Sequence, residues 1–186
     1  MVSILSLWLP ILVSAVLVFV ASSIIHMVLS YHRNDFEPFP EEDRALAAFR
    51  GLAVPPGDYV APYAGSAQAM KQPEYRERRR LGPVVIATVA SGGSESLGKG
   101  LAQWFLYSVV VSVFAAYVAG RALGPGADYL DVFRFAGTTA VAGYSLALAQ
   151  NSIWYRRKWG ATLRSMFDGL IYGLLTAGAF GAFWPH

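Results

Sequence analysis

Imidazole and carboxylate side chains crowd one stretch of this sequence: His26, His32, Asp35, Glu37, Glu41, Glu42 and Asp43. Such groups can hold a divalent ion, and His26, His32 and Asp35 are the candidate metal ligands. The spacing matches neither a zinc-binding helix motif nor a calcium loop, whose acids alternate around a turn glycine. A solvated helix start accounts better for the acids at 41–43. His26 lies near the end of a long apolar run, on a stripe with Ser22 and Ser30. An ionisable group at membrane depth is a functional candidate; an imidazole bonded to a neighbouring hydroxyl or carbonyl is the simpler reading. A bis-histidine haem is not expected within the chain, because no second apolar run contains a histidine.

Two further places carry chemistry-bearing residues. Asp168 stands at the start of the last apolar run, where a carboxylate is favoured by the helix dipole and can pair with Arg164 four residues earlier. Gly93 to Gly100 reads GGSESLGKG from one residue earlier and fits the phosphate-loop pattern GxxxxGK. Such a loop needs a Ser or Thr after the lysine for Mg²⁺. Gly100 stands there instead, Glu95 brings negative charge into the cradle, and an apolar run follows. A linker is the better reading. No catalytic constellation and no cofactor site are expected.

The elements that must position these residues are apolar helices. The chain has 186 residues, 55% of them hydrophobic and 15% charged, against about 25% charged in ordinary soluble domains. There is no cysteine, which excludes disulfides, thiol nucleophiles and thiolate metal sites. About 20 apolar residues cross a bilayer core. The pattern predicts an all-α membrane protein: a four-transmembrane-helix bundle with a polar cytoplasmic segment between helices 1 and 2. Residues 1–30 form the first span, 31–100 the membrane-face segment, and 101–186 the rest, with spans at about 101–120, 132–152 and 166–184. No Lys or Arg precedes the first run, so it is expected to be retained as a span rather than cleaved as a signal sequence. Within 31–100, short helices are expected from Pro40 to Gly51 and over 73–80, and Val84–Val89 suits a strand or an apolar re-entrant stretch.

Small residues recur every fourth position on three of the spans, and side chains four apart share one helix face. Gly169, Gly173, Ala177 and Gly181 form one ridge; Ser108, Ser112, Ala116 and Gly120 another; Thr139, Gly143, Ala147 and Asn151 a third. In lipid such seams let helix backbones approach closely. They serve packing within the chain or between copies.

Basic residues set an orientation. Nine Lys or Arg fall in 31–100 and four in 151–164, against Arg121 and Arg134 elsewhere. Cytoplasmic loops carry the excess, so the expected location is the cell membrane, multi-pass, with both termini outside the cytoplasm. Arg78, Arg79, Arg80, Arg156, Arg157 and Lys158 are expected to meet anionic headgroups; nucleic acid is not an expected partner. The functional expectation is a non-enzymatic accessory or scaffold subunit of a membrane assembly, with membrane lipids, a protein partner or further copies as its partners. The alternative is a small oligomeric channel or transporter lined by Ser108, Ser112, Thr139, Asn151 and Asp168.

Overall fold

The computed structural model describes residues 1–93 and 96–186. Ser94 and Glu95, inside the phosphate-loop-like stretch, lie outside the described residues. The chain is mostly helical and divides into two units.

The larger unit holds residues 1–37 and 96–186. A 3-10 turn, Ile4–Leu7, capped by the Ser3 hydroxyl, leads into helix α1, Trp8–Met27. Pro10 sits in the first turn of α1, where a missing N–H costs least. Three helical runs are long and apolar enough to cross a membrane: Ile4–Met27, Leu97–Ala122 and Tyr129–Ile153. Their apolar surface faces mainly outward, with 28%, 28% and 33% of the most apolar stretch of each buried inside. A large exposed apolar exterior is what a lipid-facing surface requires.

The smaller unit, residues 38–93, contains α2 (Glu42–Gly51), strand β1 (Gly57–Ala61), α3 (Pro73–Leu81) and strand β2 (Val85–Val89). The β-branched run at 84–89 is thus a strand. It pairs antiparallel with β1, from Gly57 opposite Val89 to Ala61 opposite Val85. The Thr88 hydroxyl donates to Asp58 across the hairpin at 2.6 Å. None of the unit's described side chains is buried.

In the larger unit, α4 (Leu97–Ala122) is followed by α5 (Tyr129–Tyr144), a 3-10 turn at Leu146–Leu148, and the short α6 (Ala149–Ile153). The helix α7 then runs Trp159–Ala182. Gly98, Lys99 and Gly100 lie in the first turn of α4 rather than in a loop. The last helix begins earlier than the expected 166, so the basic connection shortens to 154–158. Contacts run α1 to α4, α4 to α5, α5 to α7 and α7 back to α1, closing a four-helix cycle.

The seam on α7 is used inside this chain. A Cβ on Gly169 would lie 2.9 Å from the Tyr144 carbonyl oxygen, and one on Gly173 would overlap Val141. Farther along, a Cβ on Gly137 would stand 2.8 Å from that of Ala177, and one on Gly181 would meet Tyr129 at 2.5 Å. The pairs step in opposite directions along α5 and α7, so two antiparallel helices close on each other turn by turn. The ridge on α4 is interior as well: Ser108, Ser112, Ala116 and Gly120 are all buried, and Gly120 abuts the Val2 carbonyl. The third ridge is displaced. On α5 the buried residues are Val132, Ala136, Gly137, Ala140 and Tyr144, not Thr139 and Ala147. Gly143 faces α4 instead, 3.2 Å from the Val111 side chain by its would-be Cβ.

Two cores fill the cycle. One gathers Val2, Leu7, Ile11, Ala115, Ala119, Val132, Ala136, Phe180 and Trp184. The other is built on Val18, Ile25, Val111, Ala140, Tyr144 and Tyr172. Between α1 and α4 the Ser14 hydroxyl lies 2.9 Å from Ser112 Oγ and 3.0 Å from the Ile11 carbonyl.

Candidate functional site

The second core borders a polar cluster where α1 ends and α7 starts. After α1 the chain folds through tight turns, with Arg33 N–H donating to the Ser30 carbonyl (3.1 Å) and Asp35 N–H to that of His32 (3.0 Å). These turns lay Tyr31, His32 and Asp35 against the first half of α7. The His32 ring bridges two carboxylates: Nδ1 lies 2.7 Å from Asp35 Oδ2, and Nε2 lies 2.8 Å from Asp168 Oδ2. The Tyr31 hydroxyl donates to the other Asp168 oxygen. Arg164 donates to Asp35 through Nε at 2.9 Å and through a second guanidinium nitrogen. The order is Arg164, Asp35, His32, Asp168, Tyr31.

This arrangement answers the cost of burying charge. The side chains of Asp35 and Asp168 keep 7% and 3% of their exposure, and a buried carboxylate without partners costs several kcal/mol. His32, set between the two acids, and Arg164 supply the partners that offset this cost. Burial pushes the Asp35 carboxyl up, but hydrogen bonds from His32 and Arg164 outweigh it and hold the group below its usual range. Burial first, then the bond to Asp168 and the nearby acidic charges, pushes the Tyr31 hydroxyl well above its usual range, so it remains a donor.

The expected pairing of Arg164 with Asp168 is therefore corrected: Arg164 turns to Asp35, and Asp168 takes His32 and Tyr31. All three partners come from the segment after α1, more than 120 positions away, and give each acid or base a close charge-assisted bond in place of one pair along the helix face.

The metal candidates are also rearranged. The three residues whose ligand atoms come within 4.8 Å of one another are His26, His32 and Asp168, with Asp35 excluded. His26 Nδ1 is 3.0 Å from the Ser22 carbonyl, so it donates there. The His26 and His32 rings stack, centroids 4.7 Å apart and planes within 10°. An imidazole binds a metal in its own ring plane at about 2.0–2.1 Å, and one ion cannot lie in two stacked planes. His32 has both nitrogens committed to carboxylates. The geometry is that of a hydrogen-bonded bridge, and a shared ion requires at least one ring to turn.

Beside this cluster lies a cavity of about 720 Å³. Leu97, Leu101 and Leu148 supply apolar wall, and Trp104, Tyr107, Tyr144 and Tyr172 form an aromatic side with centroids 5.6–6.2 Å apart. His26 and Asp168 supply its polar end. Trp104 Nε1 donates to Ser22 Oγ at 2.8 Å, tying α4 to α1. Among the described residues, Tyr172 Oη is the buried side-chain polar atom without a hydrogen-bond partner. Leaving such a hydroxyl unpaired costs about 1–3 kcal/mol, and Tyr172 is 4% exposed.

The other proposed residues lie apart from this site. Ser108 and Ser112 are buried and donate to the Trp104 and Ser108 carbonyls, and Thr139 donates to that of Phe135. Of the residues suggested to line a path, Asp168 reaches the cavity. Arg78, Arg79, Arg80, Arg156, Arg157 and Lys158 are exposed. Arg80 pairs with Glu77, Arg157 stands 5.4 Å over the Phe36 ring, and Lys158 pairs with Glu37.

Tyr31, Tyr172 and the aromatic wall were missed in the sequence. A signal existed: Asp168 and Tyr172 are four apart, as are Trp104 and Ser108, which puts each pair on one helix face. Comparison with protein-family models, curated proteins and solved structures finds no match to this chain.

Proposed function

We propose that this chain is a four-span integral membrane protein that binds an amphiphilic small molecule in the cavity at its cytoplasmic mouth. Three spans have the length and apolarity for it. The fourth is α7, whose 24 residues extend about 36 Å. Its polar groups Asp168, Tyr172 and Thr176 are buried, so its outward face is the more apolar one. The orientation follows the basic residues: both the 31–100 segment and the 154–158 connection lie in the cytoplasm, and the termini lie outside.

The observation that carries the binding reading is the cavity itself. Ligand sites are concave spaces of about 300–1,000 Å³, mostly apolar, with a few placed polar groups. This one is walled by leucines and aromatic rings and ends on Asp168 and an unpaired tyrosine hydroxyl. An accessory role in a larger assembly would have to use other faces, because α5 fills the α7 seam.

The test is extraction into polymer-bounded native nanodiscs followed by native mass spectrometry. A co-purifying amphiphile at one per chain is expected. It should be lost from Leu101→Trp, which fills the cavity, while thermal melting stays intact. Equal retention by the filled variant, or a chain carrying nothing and binding no added amphiphile, overturns the reading.

A further inference from the structure

Resting on that reading, we infer that the ligand's head is uncharged or positively charged and donates hydrogen bonds, as in a long-chain amine or alcohol. The argument is a count of donors and acceptors at the cavity wall. Each serine hydroxyl has one proton, and the three serines here have spent theirs on backbone: Ser22 and Ser23 donate to the Phe19 carbonyl, Ser165 to that of Ala161. They present only lone pairs. His26 gives its Nδ1 proton to the Ser22 carbonyl.

Asp168 adds more. Each of its oxygens takes one hydrogen bond, from Tyr31 or His32, and an ionised carboxylate has about four acceptor positions. The wall's donors are engaged elsewhere. Trp104 donates to Ser22, Tyr107 to the Gly143 carbonyl, and Tyr144 is directed at the Ser108 carbonyl at 3.4 Å. Tyr172 alone of these keeps an unspent hydroxyl. No Lys or Arg lines the cavity among the described residues.

A phosphate or carboxylate head needs several donors and a cation, and here it would meet one donor and a carboxylate. An ammonium or hydroxyl head meets acceptors on Asp168 and the serines, and a hydroxyl head can also accept from Tyr172. The aromatic side adds attraction for a cation.

The experiment uses the full chain in phosphatidylcholine nanodiscs and a hexadecylamine carrying a photoreactive diazirine in its chain. Labelled peptides are located by mass spectrometry, with competition from unlabelled hexadecylamine, hexadecanol and hexadecyl phosphate. Saturable labelling around Leu101 and Leu148 is expected, displaced by amine or alcohol at a tenfold lower mole fraction than by phosphate. Asp168→Asn should cut the advantage of the amine at least tenfold. Should that variant fail to fold, Ser23→Arg serves instead, since a cation at the wall should turn the preference toward phosphate. Saturable labelling that phosphate displaces as well as amine overturns the head assignment and leaves an amphiphile site standing. Labelling that no competitor displaces, spread over the lipid-facing surface, overturns the cavity reading with it.

Discussion

The two ends of the helical unit solve the same packing problem with opposite materials. At one end Leu7, Ala115, Val132, Ala136 and Phe180 have essentially no exposure and pack into one apolar core. Backbone bonds close that end: Val2 N–H to the Gly120 carbonyl at 2.7 Å, and Gly126 N–H to that of Pro185 at 2.8 Å. Trp184 Nε1 adds a bond to the Gly124 carbonyl at 2.9 Å. At the other end the same four helices line a cavity, and an Arg–Asp–His–Asp–Tyr chain ties α7 to the segment that follows α1. Close packing of small residues leaves no room for a ligand. Bulky aromatics that meet edge to face, with a charged network behind them, leave a space with a defined polar end.

The most severe way to break the contrast is to open the seam that both ends share. Gly173→Leu drives a side chain into Val141 and should abolish a folded, monodisperse protein in mild detergent. Overpacking typically costs about 1–3 kcal/mol, and here backbone as well as side chain must move. Val141→Gly in the same chain should restore part of the elution peak.

Next comes a substitution confined to the dry end. Phe180→Ala should cost about 3 kcal/mol, the low end for deleting a buried phenyl ring, read as a lower melting temperature. Amphiphile binding should survive it. Loss of binding in a folded Phe180→Ala protein would show that the two ends are not separable.

The wet end should carry its own acid sensitivity. Asp35 is held below its usual range in the fold by His32 and Arg164, with Asp168 on the far side of the His32 ring. A depressed folded value means stability that is fully present above the unfolded value, about 3.9, and lost as pH falls through the folded one. Asp35→Asn should lower the melting temperature at neutral pH and flatten its fall on acidification. An unchanged acid limb would mean that another group carries it. The smallest effect is expected at Ser14→Ala, which removes one interhelical serine contact. Intramembrane hydrogen bonds average about 0.6 kcal/mol, so a shift of a degree or two is the expected reading.

Apolar runs and the α7 seam were legible because both are properties of consecutive residues. Length and composition announce a helix that can cross a bilayer, and a Gly-Gly-Ala-Gly stripe announces close approach. The ridge on α5 was misplaced for a related reason. That helix has small residues on several faces, Ala136, Gly137, Ala140, Ala142 and Gly143 among them, so spacing alone cannot choose the interior stripe. Asp168 was recognisable as a carboxylate beside a glycine seam, but its partners depend on how the turn after α1 folds. Nothing local to Arg164 and Asp168 says that each finds a better partner across the bundle. The donor count at the cavity is still less readable, because it depends on which carbonyl each serine has already met.

On α7 the zipper repeats every four residues, about 6 Å, but its partners on α5 are unlike: Tyr144, Val141, Gly137 and Tyr129. A slide by one repeat would set Ala177 against Val141, where a Cβ has no room, in place of Gly137, so the seam helps to fix where the two helices stop as well as how close they come. The attachments at either end add to this: Trp184 hooked to the Gly124 carbonyl and Asp168 held by Tyr31 and His32. The charged chain beside the cavity thus also acts as a detent, backing a register that the unequal side chains of α5 already set.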